Sequence, residues 1–233
     1  MTQPRGDDES PPTGGSLGEA EKVRFEMGRL TPRDRYKLLS AVVVPRPIAW
    51  ITTLGADDTI NAAPFSYFNL MGSDPPVVVI GIGDRDGRAK DTARNIGTGG
   101  EFVINIVDES TAPAMNVSAG EYAYGIDELA KAGLTPAPSA SVRPPRIVES
   151  PIHLECRELT TLTLGNTRIV VGEVIELRIR ADLVDPAAVR VHAERIGAVG
   201  RMHGRGWYTR TRDLFEMVRP RIGGTPREGQ GEG

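Results

Sequence analysis

The hydrophobic residues of this chain are concentrated in short segments, and two of these segments lie close together around position 50. PRPIAWITT (residues 45–53) and NAAPFSYFN (residues 61–69) hold one charged side chain between them, that of Arg46. A turn-forming stretch, Gly55-Ala56-Asp57-Asp58, follows the first of them. Apolar and β-branched runs on either side of such a turn predict a β-hairpin. This hairpin contains more prolines and small residues than a hairpin that only packs in a hydrophobic core.

Four further segments carry the apolar patterns of β-strands: PPVVVIGIG, EFVINIV, IHLECRELTTLTLG and TRIVVGEVIELRIR. The first two are short, continuous apolar runs, which fit buried strands. The last alternates with period two, and we expect a bulge at its Gly172-Glu173 step. We expect the buried face of that strand to carry Ile169, Val171, Ile175, Leu177 and Ile179. RGWYTR is typical of a final short strand.

The helical patterns are short. TPRDRYKLLS opens with Thr31 as N-cap and Pro32 at the first helical position. Further helices are predicted at KDTARNI, at 109–118, at 126–132 and at PAAVRVHAER, and a wrapping loop at 134–151. About six strands joined by turns and short helices indicate a mainly β fold, an antiparallel β-barrel with helical additions, and not alternating β-α units.

The two ends of the chain differ in composition from the rest. Residues 1–20 and 221–233 are rich in glycine, proline and polar side chains and hold little that could be buried. Segments of this kind do not bury enough apolar surface to offset the entropy of ordering. We therefore expect two disordered tails around a single domain that spans residues 21–220.

Composition and charge exclude several classes of partner. The chain has 233 residues and a formal net charge of −3, which gives no overall attraction to nucleic acid or to an anionic membrane. No apolar run approaches the ~20 residues that span a bilayer. The single cysteine, Cys156, rules out an internal disulfide and is compatible with a reducing compartment. We expect a cytoplasmic protein without nucleic-acid or membrane partners.

The residue types that bind metals are scattered along the sequence. No H-x-x-x-H or C-x-x-C spacing is present, and the three histidines are far apart: His153, His192 and His203. A structural metal site usually needs four such ligands at close spacing. The sequence therefore predicts no metal site.

A candidate anion site lies at the start of the segment KDTARNI. Arg88, Lys90 and Thr92 surround Asp91 there. A helix N-terminus offers unpaired backbone N–H groups and the positive end of the helix dipole, so these residues are a credible phosphate site. An ordinary solvated helix cap with Asp91 explains the same residues equally well.

No catalytic triad or pair of acids can be assembled from this sequence, which favours chemistry carried by an organic cofactor. PRPIAWITT, NAAPFSYFNLMGSDPPVVVIGIG, KDTARNI and FVINIV, in this order, resemble the flavin reductase-like family of FMN-binding split barrels. The resemblance covers residues 36–220. It implies an antiparallel barrel of Greek-key type, a homodimer, and a flavin site at the dimer interface.

The resemblance also implies positions for the cofactor. The strand from Ala49 to Thr53, with Trp50 in it, would run along the isoalloxazine, and backbone groups near Thr52 and Thr53 would bond its polar edge. The small segment Asn61, Ala62 and Ala63 would flank the ring. The ribityl phosphate would then contact Ser66, Tyr67, Lys90 and Thr92, helped by Arg88 or Arg46.

The activity implied by the resemblance is hydride transfer from NADH or NADPH to flavin. FMN is the expected flavin, with FAD as the alternative. His203 would contact the nicotinamide or its phosphate, and the reduced flavin would serve a flavin-dependent monooxygenase, another redox protein or oxygen. A non-catalytic, flavoredoxin-like electron carrier remains an alternative function, as do a pyridoxamine-phosphate oxidase-like enzyme and a cofactor-free binding barrel.

Overall fold

A computed structural model of the chain describes residues 21–123, 125–204, 206–218 and 220. The helices are α1 (Pro32–Val42), α2 (Asp91–Gly99), α3 (Ala112–Ser118), α4 (Glu128–Ala132) and α5 (Ala193–Ile196). Short 3-10 turns lie at Met27–Arg29 and Ala181–Leu183. The predicted tails, 1–20 and 221–233, lie outside the described residues, so the limits of the domain stay a prediction.

Thirteen strands are present in the described part of the chain. Those of the main sheet are β1 (Ala49–Leu54), β2 (Ile60–Phe65), β3 (Phe68–Ser73), β4 (Pro76–Gly83), β5 (Glu101–Ile106), β8 (Ile152–Leu164) and β9 (Thr167–Ile179). Two-residue and three-residue strands form three small pairs, which are β6 (Pro136–Ala137) with β7 (Arg146–Ile147), β10 (Val184–Asp185) with β11 (Arg190–Val191), and β12 (Val199–Arg201) with β13 (Tyr208–Arg210).

The main sheet is antiparallel throughout and has the strand order β2-β1-β5-β8-β9-β4-β3. Its first and last strands, β2 and β3, are consecutive in the chain and are separated only by Ser66 and Tyr67. A seven-stranded sheet can bring its two edges this close together only by curling round into a barrel. The predicted mainly β, antiparallel barrel is confirmed.

The interior of the barrel holds a continuous apolar core, here called the barrel core: Ala49, Ile51, Phe65, Val78, Ile80, Ile82, Ala93, Ile96, Phe102, Ile104, Cys156 and Val170. A second cluster, the outer core, lies between the β1–β2 hairpin and helices α3 and α4 and includes Trp50, Ala62, Met115 and Leu129. Strand β1 therefore contributes to both cores, which explains why its sequence is apolar at consecutive positions.

Three details of the sequence interpretation are wrong. In β9, Val170 and Val174 contact the barrel core, and Val170 is 1% exposed. Leu177, which belongs to the predicted buried face, is instead 55% exposed. The β8–β9 register shifts between Glu155 and Cys156 and again between Glu158 and Thr160, so one alternation does not hold along the whole strand. The bulge expected at Gly172-Glu173 is not there: both residues pair in unbroken register, and β9 skips Ile175 instead. The predicted helix PAAVRVHAER is instead a turn, β11 and the four-residue α5.

Candidate functional site

A cavity with a volume of about 450 Å³ lies beside edge strand β2. Strand β2, the segment leading into α2, the end of α3 and the start of α4 form its walls. The lining residues are Asn61, Ala63, Pro64, Phe65, Arg85, Asp86, Arg88, Ala89, Lys90, Asp91, Thr92, Arg94, Ser118, Ala119, Gly120, Tyr122 and Glu128. Five of the predicted site residues are among them: Asn61, Ala63, Arg88, Lys90 and Thr92.

A buried hydrogen-bond network fixes α2 against the β1–β2 hairpin. The hydroxyl oxygen of Thr53 accepts from the amide nitrogens of Asn61 (3.3 Å) and Asn95 (3.1 Å). The same Asn61 nitrogen donates to Oγ1 of Thr92 at 2.9 Å. Because all four side chains are buried, each lost bond would leave a polar group unpaired. The network holds the N-terminus of α2 at the cavity wall.

The cavity lining holds four basic and three acidic side chains, so basic residues are in a small excess. Arg94 pairs with Asp91, and Arg85 lies 3.6 Å from Glu121. Lys90 is the N-cap and its side chain does not cap the helix; Arg85, Arg88 and Arg94 line the same cavity. The pKa of Lys90 is lowered mainly by burial and also by the positive charge of Arg85. The ammonium of Lys90 lies 5.6 Å from the ring centre of Phe65. A buried ammonium close to another cation is stabilised by an anion. Together with the dipole of a nine-residue helix, this end of the cavity suits a phosphate group.

Several predicted residues lie behind the cavity wall. The indole nitrogen of Trp50 donates to Oγ of Ser118 at 2.9 Å, and Trp50 itself is fully buried. The hydroxyl of Thr52 donates to the carbonyl of Pro145, and β1 pairs with strands on both sides at Thr52, so its backbone is engaged in the sheet. Ala62 packs in the outer core. These residues shape the wall without lining it.

Arg46, Ser66 and Tyr67 form a group of their own outside the cavity lining. The buried guanidinium of Arg46 donates to the carbonyls of Ser40 (2.6 Å), Val43 (2.9 Å) and Met202 (3.1 Å) and to Oγ of Ser66 (3.4 Å). It also lies 6.0 Å from the ring centre of Tyr67. Protein acceptors thus already occupy Arg46, which ties the end of α1 to the loop after β12.

His203 lies in the exposed loop between β12 and β13. Its ring centre is 6.0 Å from that of Trp207, and it does not line the cavity. The neighbouring guanidinium of Arg201 lies 4.8 Å from the ring centre of Tyr208. The second arginine of this loop, Arg205, lies outside the described residues. A nicotinamide contact by His203 stays a prediction.

The sequence interpretation missed several cavity residues, of which Arg85, Asp86, Arg94 and Glu128 carry charge. Glu128 is 7% exposed, and its Oε2 accepts from the backbone N–H of Ala62 at 2.9 Å. Burial raises the pKa of this carboxyl group, and the carboxylates of Asp91 and Asp127 add to the effect. In the sequence Glu128 is an ordinary acid in the first turn of a short helix, so nothing there distinguishes it from a solvated one.

Other kinds of site find no support in the described part of the chain. No group of three or more His, Cys, Asp or Glu side chains there could hold a metal ion. His153 is buried in β8, where its Nε2 lies 2.7 Å from the carbonyl oxygen of Ile147. None of the described helices combines the length and the apolar character that a membrane crossing requires.

The cavity fits a ligand with a flat apolar part and an anionic end. Ala63, Pro64 and Phe65 offer a wall with small or flat side chains, and the basic residues at the start of α2 lie at the same cavity. A mostly concave site with a few placed polar groups is typical for such ligands.

Comparison with known proteins identifies the fold. The model of the flavin reductase like domain matches residues 41–196. A protein of Deinococcus radiodurans is 48% identical over 203 residues, which are 84% of this chain and 89% of that protein.

Two solved structures also match most of the chain. Nitrilotriacetate monooxygenase component B from Bacillus cereus has a TM-score of 0.81 and 30% identity and covers 85% of this chain and 100% of its own. The 2-nitrobenzoate 2-nitroreductase NbaA of Pseudomonas fluorescens has a TM-score of 0.79 and 34% identity. It covers 89% of this chain and 100% of its own. The fold is the split barrel of these flavin reductase-like proteins, and the chain belongs to the flavin reductase like domain family.

Proposed function

We propose that this protein binds FMN in the cavity beside β2 and is an oxidoreductase that transfers hydride from NADH or NADPH to the flavin. The observation that carries the proposal is the convergence of Arg85, Arg88 and Lys90 with the N-terminus of α2 at one cavity. This arrangement suits the phosphate of FMN, and the small residues of β2 beside it leave room for a ring. FAD remains the alternative flavin.

The residues of the chain would bind and orient the cofactor. Lys90 and Arg88 would form charged hydrogen bonds with the phosphate, and Thr92 would be held in place for it by Asn61. The wall formed by Ala63 and Phe65 would exclude water from one side of the ring. A bound flavin would accept a hydride and pass its electrons on, so the protein needs no acid–base residue of its own for that step.

The structural relatives support two electron acceptors. One relative is a component of nitrilotriacetate monooxygenase, which supports a flavin-dependent monooxygenase as the partner. The nitroreductase supports a nitroaromatic compound as a direct acceptor. We place the monooxygenase partner first, as the sequence resemblance implies, and we use the nitroaromatic acceptor as an arm of the test.

We also propose that the protein is a homodimer and that it works in the cytoplasm. The outer face of the main sheet carries neighbouring apolar side chains on three strands, with Val79 opposite Val171 and Ile169 opposite Leu162. Leu162 is exposed there and the other three side chains are half-buried. An apolar patch that solvent can reach is typical of an interaction site. A second copy of the chain is the occupant that the family resemblance implies. The lone cysteine, Cys156, supports a reducing compartment.

The test combines a binding and a turnover measurement. Purified protein is titrated with FMN and with FAD, and binding is followed by flavin fluorescence. Oxidation of NADH and NADPH at 340 nm is then measured with free FMN, with a nitroaromatic acceptor and with neither. Flavin binding with NAD(P)H oxidation supports the proposal. Flavin binding without any NAD(P)H oxidation favours the electron carrier, and absence of flavin binding refutes both functions.

A further inference from the structure

The carboxylate of Glu128 hydrogen-bonds backbone N–H groups and also lines the cavity. Oε2 accepts from the backbone N–H of Ala62 at 2.9 Å. Oε1 makes no hydrogen bond to another residue in the part of the chain that the structure describes, although the side chain is 7% exposed and lines the cavity. Oε1 is not among the buried side-chain atoms that lack a partner, and Glu128 lines the cavity, so this carboxylate can accept a further hydrogen bond from a donor in the cavity.

The structural task of Glu128 does not require a charge. Strand β2 is an edge of the main sheet, and its outward backbone groups have no neighbouring strand. The N–H of Ala62 therefore needs an acceptor, whereas Pro64, two residues on, has no N–H to satisfy. A neutral amide oxygen would serve Ala62 equally well and would cost less to bury than a carboxylate. The second oxygen is thus the part of Glu128 that the edge strand does not explain.

We propose that Glu128 is a specificity-determining residue whose Oε1 accepts a hydrogen bond from an N–H or O–H donor of the cavity ligand. The proposal rests on the flavin function proposed above. The basic residues Arg85, Arg88 and Lys90 attract the anionic end of that ligand, and Glu128 repels it. Glu128 therefore favours a ligand that carries a hydrogen-bond donor away from its anionic end. Flavin offers two such sources, the ring imide N–H and the ribityl hydroxyls.

The decisive variant is Glu128→Gln. Its amide oxygen accepts from Ala62 as Oε2 does, and its NH₂ group then points at the ligand donor where Oε1 was. We expect the FMN dissociation constant to rise about tenfold to a hundredfold, since a hydrogen bond to a charged group is replaced by two opposed donors. The midpoint of thermal unfolding should stay the same or rise. Glu194→Gln, an exposed acid in α5, is the matched control and should bind FMN like the unmodified protein.

Two FMN analogues separate the sources of the donor. N3-methyl-FMN lacks the imide N–H, and an analogue with a phosphorylated pentyl chain lacks the ribityl hydroxyls. The analogue that lacks the contacted donor should bind the unmodified protein and Glu128→Gln with similar affinity. Equal or tighter FMN binding by Glu128→Gln overturns the proposal, as does an undiminished difference with both analogues. If the unmodified protein binds no FMN, the proposed function fails as well, and the two failures are thereby distinguished.

Discussion

At the scale of single residues, Lys90 is the side chain on which the proposed phosphate contact most depends. Its ammonium is partly buried, lies near Phe65 and shares the cavity with Arg85, so burial and a like charge both lower its pKa. The charge of an anion in the cavity would raise the pKa of Lys90 and so offset both effects. The cost of removing Lys90 should therefore appear in ligand binding and not in folding.

We predict that Lys90→Ala weakens FMN binding by about 1.5–3 kcal/mol, the range for a hydrogen bond to a charged group. Riboflavin, which has no phosphate, should lose much less affinity. Fluorescence titration of both ligands measures the difference. Lys37→Ala, an exposed lysine paired with Asp34 on α1, is the control and should leave both affinities unchanged. Equal losses for FMN and riboflavin would contradict a phosphate contact at Lys90.

Ala62 and Ala63 are neighbours in β2 but face different surroundings. Ala62 is fully buried in the outer core, whereas Ala63 lines the cavity. Ala63 is only half-buried, although it also packs against the barrel core. We predict that Ala63→Leu weakens FMN binding at least tenfold and costs less stability than Ala62→Leu. Ala62→Leu should instead lower the free energy of unfolding by about 1–3 kcal/mol, because it overfills a packed core. Flavin titration and chemical denaturation of both variants test the assignment; the reverse pattern would move the ring away from this wall.

At the scale of elements, strand β9 shows how the barrel overrides a local pattern. The alternating apolar residues predict an odd-numbered buried face, yet Val170, Gly172 and Val174 face the barrel core over the first half of the strand. A Cβ atom on Gly172 would lie 2.5 Å from Cζ of Phe102. The core thus needs a glycine at this position because the ring of Phe102 fills the space beside it.

We predict that Gly172→Ala lowers the free energy of unfolding by about 1–3 kcal/mol through overpacking against Phe102. Gly83→Ala, at the end of β4, should have a small effect because its added methyl group would meet no other atom within 4 Å. Phe102→Leu should recover part of the loss in the double variant, which makes the two changes non-additive. Urea denaturation of the four variants measures the coupling. Strict additivity would show that Phe102 does not restrict Gly172.

At the scale of the whole molecule, the proposed homodimer depends on the outer face of the main sheet. Leu162 in β8 is 53% exposed and lies opposite Ile169 of β9. A charge placed on this face would be buried without a partner in a dimer, and in a monomer it would be solvated. The same substitution therefore separates the two states.

We predict that Leu162→Asp shifts the protein from dimer to monomer in light scattering coupled to size-exclusion chromatography. Val189→Asp, at a turn position that is 89% exposed, is the control and should leave the mass unchanged. A monomeric mass for the unmodified protein would refute the homodimer. A dimeric mass for Leu162→Asp would place the interface on another surface.

The type of most elements, and the helix start at which the proposed anion site lies, could be predicted from the sequence alone. Strand runs, turn residues and the N-cap of α1 depend on neighbours in the chain, and such local preferences can be read along it. The position of Lys90 and Thr92 at a helix start is also a local feature that can be predicted from neighbouring residues. The positions of the short α5 and of β11 were missed, because elements of two to four residues depend on tertiary contacts more than on their own propensity.

Which side chains reach the cavity could not be predicted, because it depends on how the barrel closes. The curling of the main sheet brings β2 beside α2 and α4, and this long-range contact selects Ala63 over Ala62 and adds Glu128 and Arg85 to the site. Likewise Arg46, an isolated charge in an apolar stretch, is a plausible ligand contact until the carbonyls of α1 and of Met202 are seen around it. Local patterns depend on near neighbours, whereas a binding site is made by residues that meet only in the folded chain.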